Sequence, residues 1–397
     1  MTRINLNSLN KSDWKPYRFD EIAKNISDRV DPTTTDLKVY IGLEHLDAES
    51  IHIKRTGTPD EVKGQKLKGY PGDIIFGKRR AYQRKAALLT EESVCSAHAF
   101  ILRANPEVIE PKLFPFFLHS DMFMHRAVDI SVGGLSPTIN WGTLKSQEFL
   151  LPPKDQQADL AELLWAMDEV IEKELTLLDD LENYSENLQM KKFSQLWKDV
   201  KKGKLKAPNL EDLITTPVNN GIFKKREGFG RGTLLINVTD VYKSFRVKPS
   251  TLDRVDANDK EKVSFSAFPG DVIFNRSSLV KEGVGHTCLV PDYPEDMVFE
   301  CHLMRVRPYN KKLNSSYLTR YCLSPFGRNY LISRSQTTTM TTLNQTGLNK
   351  MPIPLPSPEE QCTFSEILDS IDDSKELVTQ KIYSSKSLKK SLINQVF

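Results

Sequence analysis

The residues that come closest to a catalytic site are two carboxylates and a lysine. Asp73 is followed along the chain by Glu110 and then Lys112, and carboxylates clustered with a lysine could bind the divalent cations that metal-dependent nucleases use. His119 and His125 are six residues apart. A helix would place these two histidines on different faces, which is not the arrangement of a zinc site.

Other catalytic signatures are weak or missing. A methyltransferase acting on an amino group would need a glycine-rich cofactor loop after a strand and an acidic-Pro-Pro-aromatic motif. The chain offers only Gly-Phe-Gly-Arg-Gly at residues 228–232 and Leu-Pro-Pro-Lys at residues 151–154. The sequence contains no nucleoside-triphosphate loop of the Gly-x4-Gly-Lys-Ser/Thr type. We therefore expect this chain to perform no catalysis.

Two kinds of polar segment are better suited to binding DNA. Ser, Thr, Gln and Asn hydrogen-bond to phosphates and base edges without bulk, and Lys and Arg neutralise phosphates. A basic segment at residues 77–85 has a counterpart at 275–281, and a polar loop at 131–141 has a counterpart at 334–344. The residues predicted to contact DNA are Lys78, Arg79, Arg80, Gln83, Arg84, Lys85, Ser131, Ser136, Thr138 and Asn140 in the first half, and Arg276, Ser277, Ser278, Lys281, Arg334, Ser335, Gln336, Thr338, Thr342 and Asn344 in the second.

These segments occur twice because the chain is an internal duplication. Pro-Gly-Asp-Ile-Ile-Phe at residues 71–76 returns as Pro-Gly-Asp-Val-Ile-Phe at residues 269–274, which is 198 residues later. A period this long indicates a duplicated domain instead of a solenoid, and it predicts two similar functional surfaces related by a pseudo-two-fold axis. Further matches, at an offset of 204 residues, pair His98 with His302, Arg103 with Arg307, Ser120 with Ser324, Gln157 with Gln361 and Asp168 with Asp372.

The duplication argues against the nuclease interpretation. Asp73 recurs as Asp271, but the positions equivalent to the second carboxylate and the lysine are Asn314 and Ser316. We therefore expect both aspartates to belong to a Pro-Gly-Asp turn that enters a strand.

Each half is predicted to begin with an α/β recognition lobe. Short apolar runs at residues 39–41 and 73–76 are typical of strands between turns, and the alternation within residues 298–307 predicts a half-buried strand. The recurring histidine pair occupies one position of this strand. We interpret it as structural, or alternatively as a polar contact near the functional surface. A short helix is predicted near residues 112–125 and near residues 316–330.

Each half is predicted to end in a long helix. Proline-rich junctions precede residues 155–197 and 359–397, which contain no Pro or Gly and repeat apolar residues every three or four positions. Helices this long with one apolar stripe need a partner. We predict that the two helices pair antiparallel in the manner of a coiled coil. The alternative is that each helix folds on its own lobe.

The predicted fold class is thus α/β (α+β) recognition domains, duplicated and joined by two long antiparallel helices. A lysine-rich linker is expected at residues 198–208. The predicted division is residues 1–152 for the first recognition domain, 153–198 for the central long helix, 199–357 for the second recognition domain and 358–397 for the C-terminal long helix.

Composition is that of an ordinary soluble protein. The 397 residues are 39% hydrophobic and 27% charged, no stretch approaches the ~20 apolar residues of a membrane span, and the start lacks the apolar region of a signal peptide. Five cysteines without a C-x-x-C pair predict reduced thiols. The net charge of +3 permits nucleic acid as a partner. We expect a cytoplasmic protein that contacts no membrane.

Together these features resemble the specificity subunit of a Type I restriction–modification system, over essentially the whole chain. The most specific element is a proline–Glu/Gln junction that leads into a long helix twice, as Leu-Pro-Pro-x-x-Gln-Gln157 and Pro-Leu-Pro-x-x-x-Glu-Gln361. The Pro-Gly-Asp-Ile-Ile-Phe strand and the polar loops also fit. The second loop departs from the first, because Thr337-Thr338 replaces Gly133-Gly134.

The resemblance implies a non-catalytic subunit that recognises double-stranded DNA. Each lobe would be a target recognition domain for one half of a bipartite, gapped site, and the helices would set the gap and bind two modification subunits. Those partners would carry S-adenosylmethionine and methylate adenine, while restriction subunits would use ATP and Mg²⁺ to translocate and cleave DNA. The alternatives are an assembly scaffold that reads no bases and a stand-alone metal nuclease that depends on Asp73.

Overall fold

The structure, a computed structural model, describes residues 11–225 and 228–397. Contacts divide the chain into two compact units. Unit 1 consists of the described residues up to Leu177 together with Val378–Phe397, and unit 2 consists of Leu178–Leu377. The four predicted segments follow the chain, whereas these units divide each long helix between them, so the predicted domain boundaries stay a prediction.

The described part of unit 1 contains ten strands in three sheets. They are β1 (Lys15–Arg18), β2 (Ala23–Ile26), β3 (Arg29–Val30), β4 (Tyr40–Ile41), β5 (Lys66–Gly69), β6 (Ile74–Gly77), β7 (Ala86–Leu88), β8 (Ser93–Cys95), β9 (Ala99–Ala104) and β10 (Glu148–Leu151). One sheet is antiparallel in the order β2-β9-β6-β7, and a second, β3-β5-β8-β4, contains the parallel pair β4 and β8. The third sheet pairs β1 with β10.

Unit 2 repeats the first of these sheets strand for strand and three strands of the second, whose fourth strand lies beside β5 in unit 1 and beside the counterpart of β4 in unit 2. The orders in unit 2 are β11-β19-β15-β17 and β13-β12-β18-β14, the latter with β12 and β18 parallel, and a small sheet β16-β21-β20 is added. These strands are β11 (Ile214–Asn220), β12 (Phe229–Ile236), β13 (Asp253–Val255), β14 (Ser266–Ala267), β15 (Val272–Asn275), β16 (Ser277–Ser278), β17 (Thr287–Leu289), β18 (Met297–Phe299), β19 (Leu303–Pro308), β20 (Gln336–Thr337) and β21 (Thr341–Thr342). Strands β6 and β15 are offset by 198 residues at both ends, and β9 and β19 by 204. The predicted duplication is confirmed.

One predicted strand is wrong in its extent. Residues 298–307 do not form a single strand, because a turn at Cys301 and His302 separates β18 from β19, which lie in different sheets. The predicted half-buried alternation is also wrong for β19, because Leu303 and Arg305 are buried along with Met304 and Val306, and Arg307 alone in this strand is partly exposed.

The helices of the lobes also differ from prediction. Each region predicted as one short helix is two, because a serine ends the first and caps the second. The Ser120 hydroxyl accepts from the Phe123 amide at 3.2 Å, and the Ser324 hydroxyl accepts from the Gly327 amide at 3.4 Å. The lobe helices are α1 (Phe19–Ile22), α2 (Phe114–His119), α3 (Asp121–Asp129), α4 (Trp141–Leu144), α6 (Val238–Val241), α7 (Asp259–Phe265), α8 (Ser315–Leu323), α9 (Pro325–Ser333) and α10 (Gln345–Asn349).

The Pro-Gly-Asp aspartates are structural in both units, as predicted. Asp73 is buried, accepts the Tyr70 amide at 3.3 Å and pairs with Arg103 at 2.7 Å. Asp271 accepts the Phe268 amide at 2.8 Å and pairs with Arg307 at 2.7 Å. Each carboxylate thus closes its own turn and ties it to β9 or β19. A carboxylate held by an arginine in this way is not arranged as a metal ligand of a nuclease.

The two long helices are α5 (Lys154–Lys201) and α11 (Pro358–Val396), close to the predicted spans. The first four residues of the predicted linker, 198–201, belong to α5. Among the described residues, no helix combines the length and apolarity needed to cross a membrane.

Each lobe packs on the start of one long helix and the end of the other. In unit 1, Leu160 and Leu164 of α5 share a core with Leu392 and Val396 of α11, and the Phe397 ring lies 5.3 Å from Phe117. In unit 2, the start of α11 and the end of α5 share the core. The Phe193 ring of α5 lies edge-on 5.6 Å from Phe364 of α11, and Trp197 lies 6.5 Å from Tyr321. The antiparallel prediction is confirmed, and the alternative that each helix folds only on its own lobe is wrong.

A buried glutamine fixes each long helix to its lobe. The Gln157 amide nitrogen donates to the carbonyls of Pro152 and Val108 at 2.9 and 3.1 Å, and its oxygen accepts the Glu110 amide at 2.6 Å. Gln361 makes the same three bonds to the residues 204 positions further along: Pro356 at 2.9 Å, Lys312 at 3.0 Å and Asn314 at 2.9 Å. Both glutamines are buried. Because each buried side chain uses both its amide nitrogen and its oxygen to satisfy three backbone groups, glutamine suits both junctions.

We predict that Gln157→Met lowers the free energy of unfolding of unit 1 by about 1–3 kcal/mol, since Met retains the shape but leaves buried backbone groups unpaired. Urea denaturation gives the free energy, and hydrogen exchange should speed up at the Glu110 amide. The control Gln156→Met changes the half-buried neighbour and should leave both measurements close to those of the unmodified chain. Unchanged exchange at Glu110 in the Gln157 variant would contradict the assignment.

Candidate nucleic-acid interface

In unit 1 the basic segment and the polar loop, predicted as separate surfaces, form one. Arg79 pairs with Thr138 in a β-bridge, Thr138 pairs in turn with Val132, and the Ile139 amide donates to the Lys78 carbonyl at 2.9 Å. We name residues 78–83 and 131–140 platform 1.

Unit 2 assembles the equivalent surface by the same pairings. Ser277 of β16 pairs with Thr342 of β21, which pairs with Gln336 of β20, and the Leu343 amide donates to the Arg276 carbonyl at 2.9 Å. These positions match those of platform 1 at the offsets of the repeat. We name residues 276–281 and 334–344 platform 2.

Arg80 fixes the conformation of the polar loop in platform 1 through its backbone amide and its side chain. Arg80 lies in the left-handed backbone region, with φ of 57°, its amide donates to the Pro137 carbonyl at 2.7 Å, and its guanidinium donates to the Ser136 hydroxyl at 3.1 and 3.2 Å. Gly133 has φ of 119°, a conformation that side chains disfavour. The loop therefore has a defined shape, with Arg79 and Arg80 exposed beside it.

Two other residues of the basic segment on platform 1, Lys78 and Gln83, are partly buried. The Lys78 ammonium lies 5.2 Å from the centre of the Phe100 ring, and burial lowers the pKa of its amine. Gln83 is half-buried.

Arg84 and Lys85, predicted to contact DNA, are used inside unit 1. Arg84 forms ion pairs with Glu49 and Asp121 at 3.0 and 2.8 Å, and its side chain is only 18% exposed. The Lys85 ammonium donates to the Leu43 carbonyl at 2.6 Å. Internal acceptors thus hold the cationic groups of both residues, and their contact with DNA stays a prediction.

Several predicted hydroxyls also face inward. Ser131 donates to the Ala127 carbonyl at 2.8 Å, and Ser335 donates to the Ile332 carbonyl at 2.7 Å. Ser277 is buried, with its hydroxyl 2.7 Å from Nδ1 of His302. His302 therefore contacts platform 2, and both His98 and His302 are exposed. The hydroxyl of Thr138 lies 3.1 Å from the Ser136 carbonyl.

The remaining predicted residues lie at the surface of the platforms. Asn140 and Asn344 both precede a helix, and the Asn344 side chain caps α10 by accepting the Gly347 amide at 2.7 Å. The Arg334 guanidinium lies 5.4 Å from the Tyr330 ring centre. The partly exposed ones are Arg276, Ser278 and Thr342, and the exposed ones are Lys281, Arg334, Gln336 and Thr338.

The platforms also carry exposed aliphatic residues that the polar pattern did not predict. They are Val132 and Leu135 on platform 1, and Leu279 and Val280 on platform 2. The sequence feature that could have predicted them is an apolar residue inside a polar loop, since no strand or helix periodicity there requires that residue to be buried.

Within the described residues, one group of possible metal ligands lies close together. Glu300, Cys301 and His302 place a ligand atom each within 4.8 Å of one another. The first copy has Ser96 and Ala97 before its histidine, so the repeat does not keep this group. The thiol of Cys301 has its pKa raised to about 11, mainly by burial, and Nδ1 of His302 is already bonded to Ser277.

Comparison with known proteins agrees with this architecture. A family model described as Type I restriction modification DNA specificity domain matches residues 11–183 and 209–384. The chain is 24% identical over 208 residues to the HindI specificity subunit of a Type I restriction enzyme of Haemophilus influenzae, covering 51% of this chain and 44% of that protein. It is 26% identical over 190 residues to the EcoDI specificity subunit of Escherichia coli, covering 46% and 42%. The chain thus matches less than half the length of these relatives.

Solved structures share the fold at lower identity. The S subunit of a Type I restriction–modification system from M. genitalium has a TM-score of 0.62 with 14% identity and covers 98% of both chains. A chain from a structure concerning complex assembly and conformational transition of the type I R-M system has a TM-score of 0.56 with 18% identity, covering 96% of this chain and 97% of that one.

We predict that substitutions of two arginines in the basic segment differ in their effect on the free energy of unfolding. Arg84→Met should lower the free energy of unfolding by about 1–3 kcal/mol, because Asp121 loses the arginine it pairs with and Glu49 keeps only its ion pair with Lys390. Arg79→Met should change it by less than about 0.5 kcal/mol, because Arg79 is exposed. Urea denaturation followed by tryptophan fluorescence gives the free energy of unfolding of both variants. Equal destabilisation by the two variants would refute the division between internal and surface cations.

Proposed function

Because the chain belongs to the family of Type I restriction modification DNA specificity domains, we propose that it is the DNA-recognition subunit of a Type I restriction–modification enzyme. The single observation that supports this most is that both matched segments build the same scaffold and each presents a platform of cations, hydroxyls and amides. In this role the chain is not itself an enzyme.

Each platform recognises one half of a bipartite DNA site. On platform 1 the exposed Arg79 and Arg80 meet phosphates, and on platform 2 Lys281 and Arg334 do so. Phosphate contacts fix position, whereas contacts to base edges specify sequence. Because the two platforms share backbone pairings but differ in most of their side chains, the two half-sites differ in sequence.

The long helices set the unread gap and bind the partners. Large apolar side chains are exposed along the helical part of each unit, where packing on the lobe does not cover them. We assign these positions to contacts with two modification subunits. In unit 1 they are Val170, Leu177, Tyr383 and Leu388, and in unit 2 Tyr184, Met190, Ile367 and Leu377.

The chemistry belongs to those partners. Modification subunits carry S-adenosylmethionine and methylate adenine, which has to leave the base stack for the reaction, and restriction subunits bound through them use ATP and Mg²⁺. We place the assembly in the cytoplasm, where it meets chromosomal DNA and where the five free cysteines stay reduced.

We predict that the chain assembled with its modification subunits binds gapped bipartite DNA more tightly than a random pool. Arg79→Glu with Arg80→Glu should weaken binding and reduce the salt slope of log K by about one for each phosphate that is no longer neutralised. The matched control Lys201→Glu with Lys202→Glu changes the charge equally at the exposed end of α5 and should bind as the unmodified complex does. Equal affinity for all sequences would favour the assembly scaffold, as would full function of the platform variant.

A second prediction concerns the gap. Inserting four helical residues after Leu178 and four after Leu377 lengthens each helix by about 6 Å, so the unread gap should widen by one to two base pairs. Methylation-sensitive sequencing of DNA from cells that carry the variant and its partners measures the gap. Both half-sites should stay unchanged, and an altered half-site with the original gap would contradict the assignment.

A further inference from the structure

We propose that aliphatic tips of the two platforms recognise the C5 methyl group of thymine in the major groove, through Leu135 in the first half-site and Leu279 in the second. This inference rests on the proposed function and assigns two specificity-determining residues that the polar pattern does not predict.

The first observation is where the most exposed apolar side chains lie. Leu135 is 97% exposed and Leu279 is 83% exposed. Single exposed apolar residues are ordinary on protein surfaces, but their concentration at one place marks a contact site. Among the described residues, four of the eight large apolar side chains more than 60% exposed lie on the platforms, the full set being Val132, Leu135, Phe223, Val263, Leu279, Val280, Tyr383 and Leu388.

The second observation is how platform 1 presents its leucine. Leu135 lies between Gly134 and Ser136, and Arg80 holds the Ser136 hydroxyl. The exposed Arg79 lies in the adjacent paired segment. The leucine is thus at the tip of a shaped loop, with cations on the segment that supports it. When those cations meet phosphates, the tip is the part of the platform that enters the groove.

Platform 2 offers the same chemistry in a different shape. Leu279 and Val280 line an open hollow of about 470 Å³, together with Met340, Tyr242 and Val238. The lining is mainly apolar and includes Ser278, whose hydroxyl accepts the Val280 amide at 3.2 Å. A hollow of this kind accepts a methyl group while a neighbouring hydroxyl bonds to a base edge.

The occupant follows from what DNA displays. Phosphates, sugars and most base-edge groups are polar, and the C5 methyl of thymine is the apolar group of the major-groove pattern. Cations around an apolar tip therefore complement a phosphate backbone that flanks a thymine. Insertion of the same leucine between base pairs from the minor groove would instead be insensitive to the thymine methyl.

The test replaces thymine by uracil, which removes the methyl and keeps base pairing. The complete complex of the full chain with its modification subunits is titrated with its own bipartite site, carrying uracil at one thymine position at a time. At one position in the first half-site we expect affinity to fall about fourfold, which corresponds to the free energy of burying one methyl-sized group. In Leu135→Ala the same replacement should have no effect, and Leu279→Ala should remove the response in the second half-site only.

The matched control is Val263→Ala, which shortens an equally exposed aliphatic side chain on α7, outside both platforms. It should leave both uracil responses intact. Leu135 and Leu279 are exposed, so their variants should fold normally, and urea denaturation checks this.

Specific binding that tolerates uracil at every position would overturn the inference while leaving the proposed function standing. Weaker binding of Leu135→Ala to all sequences alike, with normal uracil responses, would also overturn the inference. That result would favour insertion of the leucine between base pairs. Absence of any sequence preference in the unmodified complex would instead refute the proposed function itself.

Discussion

The attachment of each lobe to a long helix depends on a buried amide at the start of that helix. Gln157 and Gln361 are buried, and each forms hydrogen bonds with three backbone groups. An apolar side chain would leave those groups unpaired, and a charged one would be costly to bury. The direction in which each helix leaves its lobe is therefore fixed by a hydrogen-bonding requirement, and the long apolar stripe can pack only in the register that this start allows.

A second constraint separates scaffold from recognition surface. In both units most of the strands, the aspartate–arginine pair and the serine cap recur, at an offset of 198 residues for β6 and β15 and of 204 for β9 and β19. The platform side chains, in contrast, differ between the copies while their backbone pairings are retained. Close packing keeps the buried positions similar, because a change of one methylene is felt in a core. Exposed tips carry no such penalty, so one fold can present two different surfaces.

The cationic residues of the basic segment show which part of the candidate site the sequence pattern could not predict. Residues 78–85 look like one cationic strip, yet Arg79 and Arg80 face solvent while Arg84 and Lys85 bind acceptors inside unit 1. The acceptors Glu49, Asp121 and Leu43 are distant along the chain, so nothing local distinguishes the two pairs of cations. The same limit applies to Ser277, whose hydroxyl partner is His302.

The sequence by itself determined the duplication, the two long helices and the aspartate turns, because offset, periodicity and turn chemistry are properties of short stretches of chain. It placed most of the candidate site but divided it into separate surfaces. Only the tertiary structure joined the basic segment to the polar loop, divided lobe helices at Ser120 and Ser324, and separated β18 from β19. It also gave each lobe the start of one long helix and the end of the other. These features depend on pairings between residues far apart in the chain, and such pairings are selected by packing and by hydrogen bonds that local pattern does not encode.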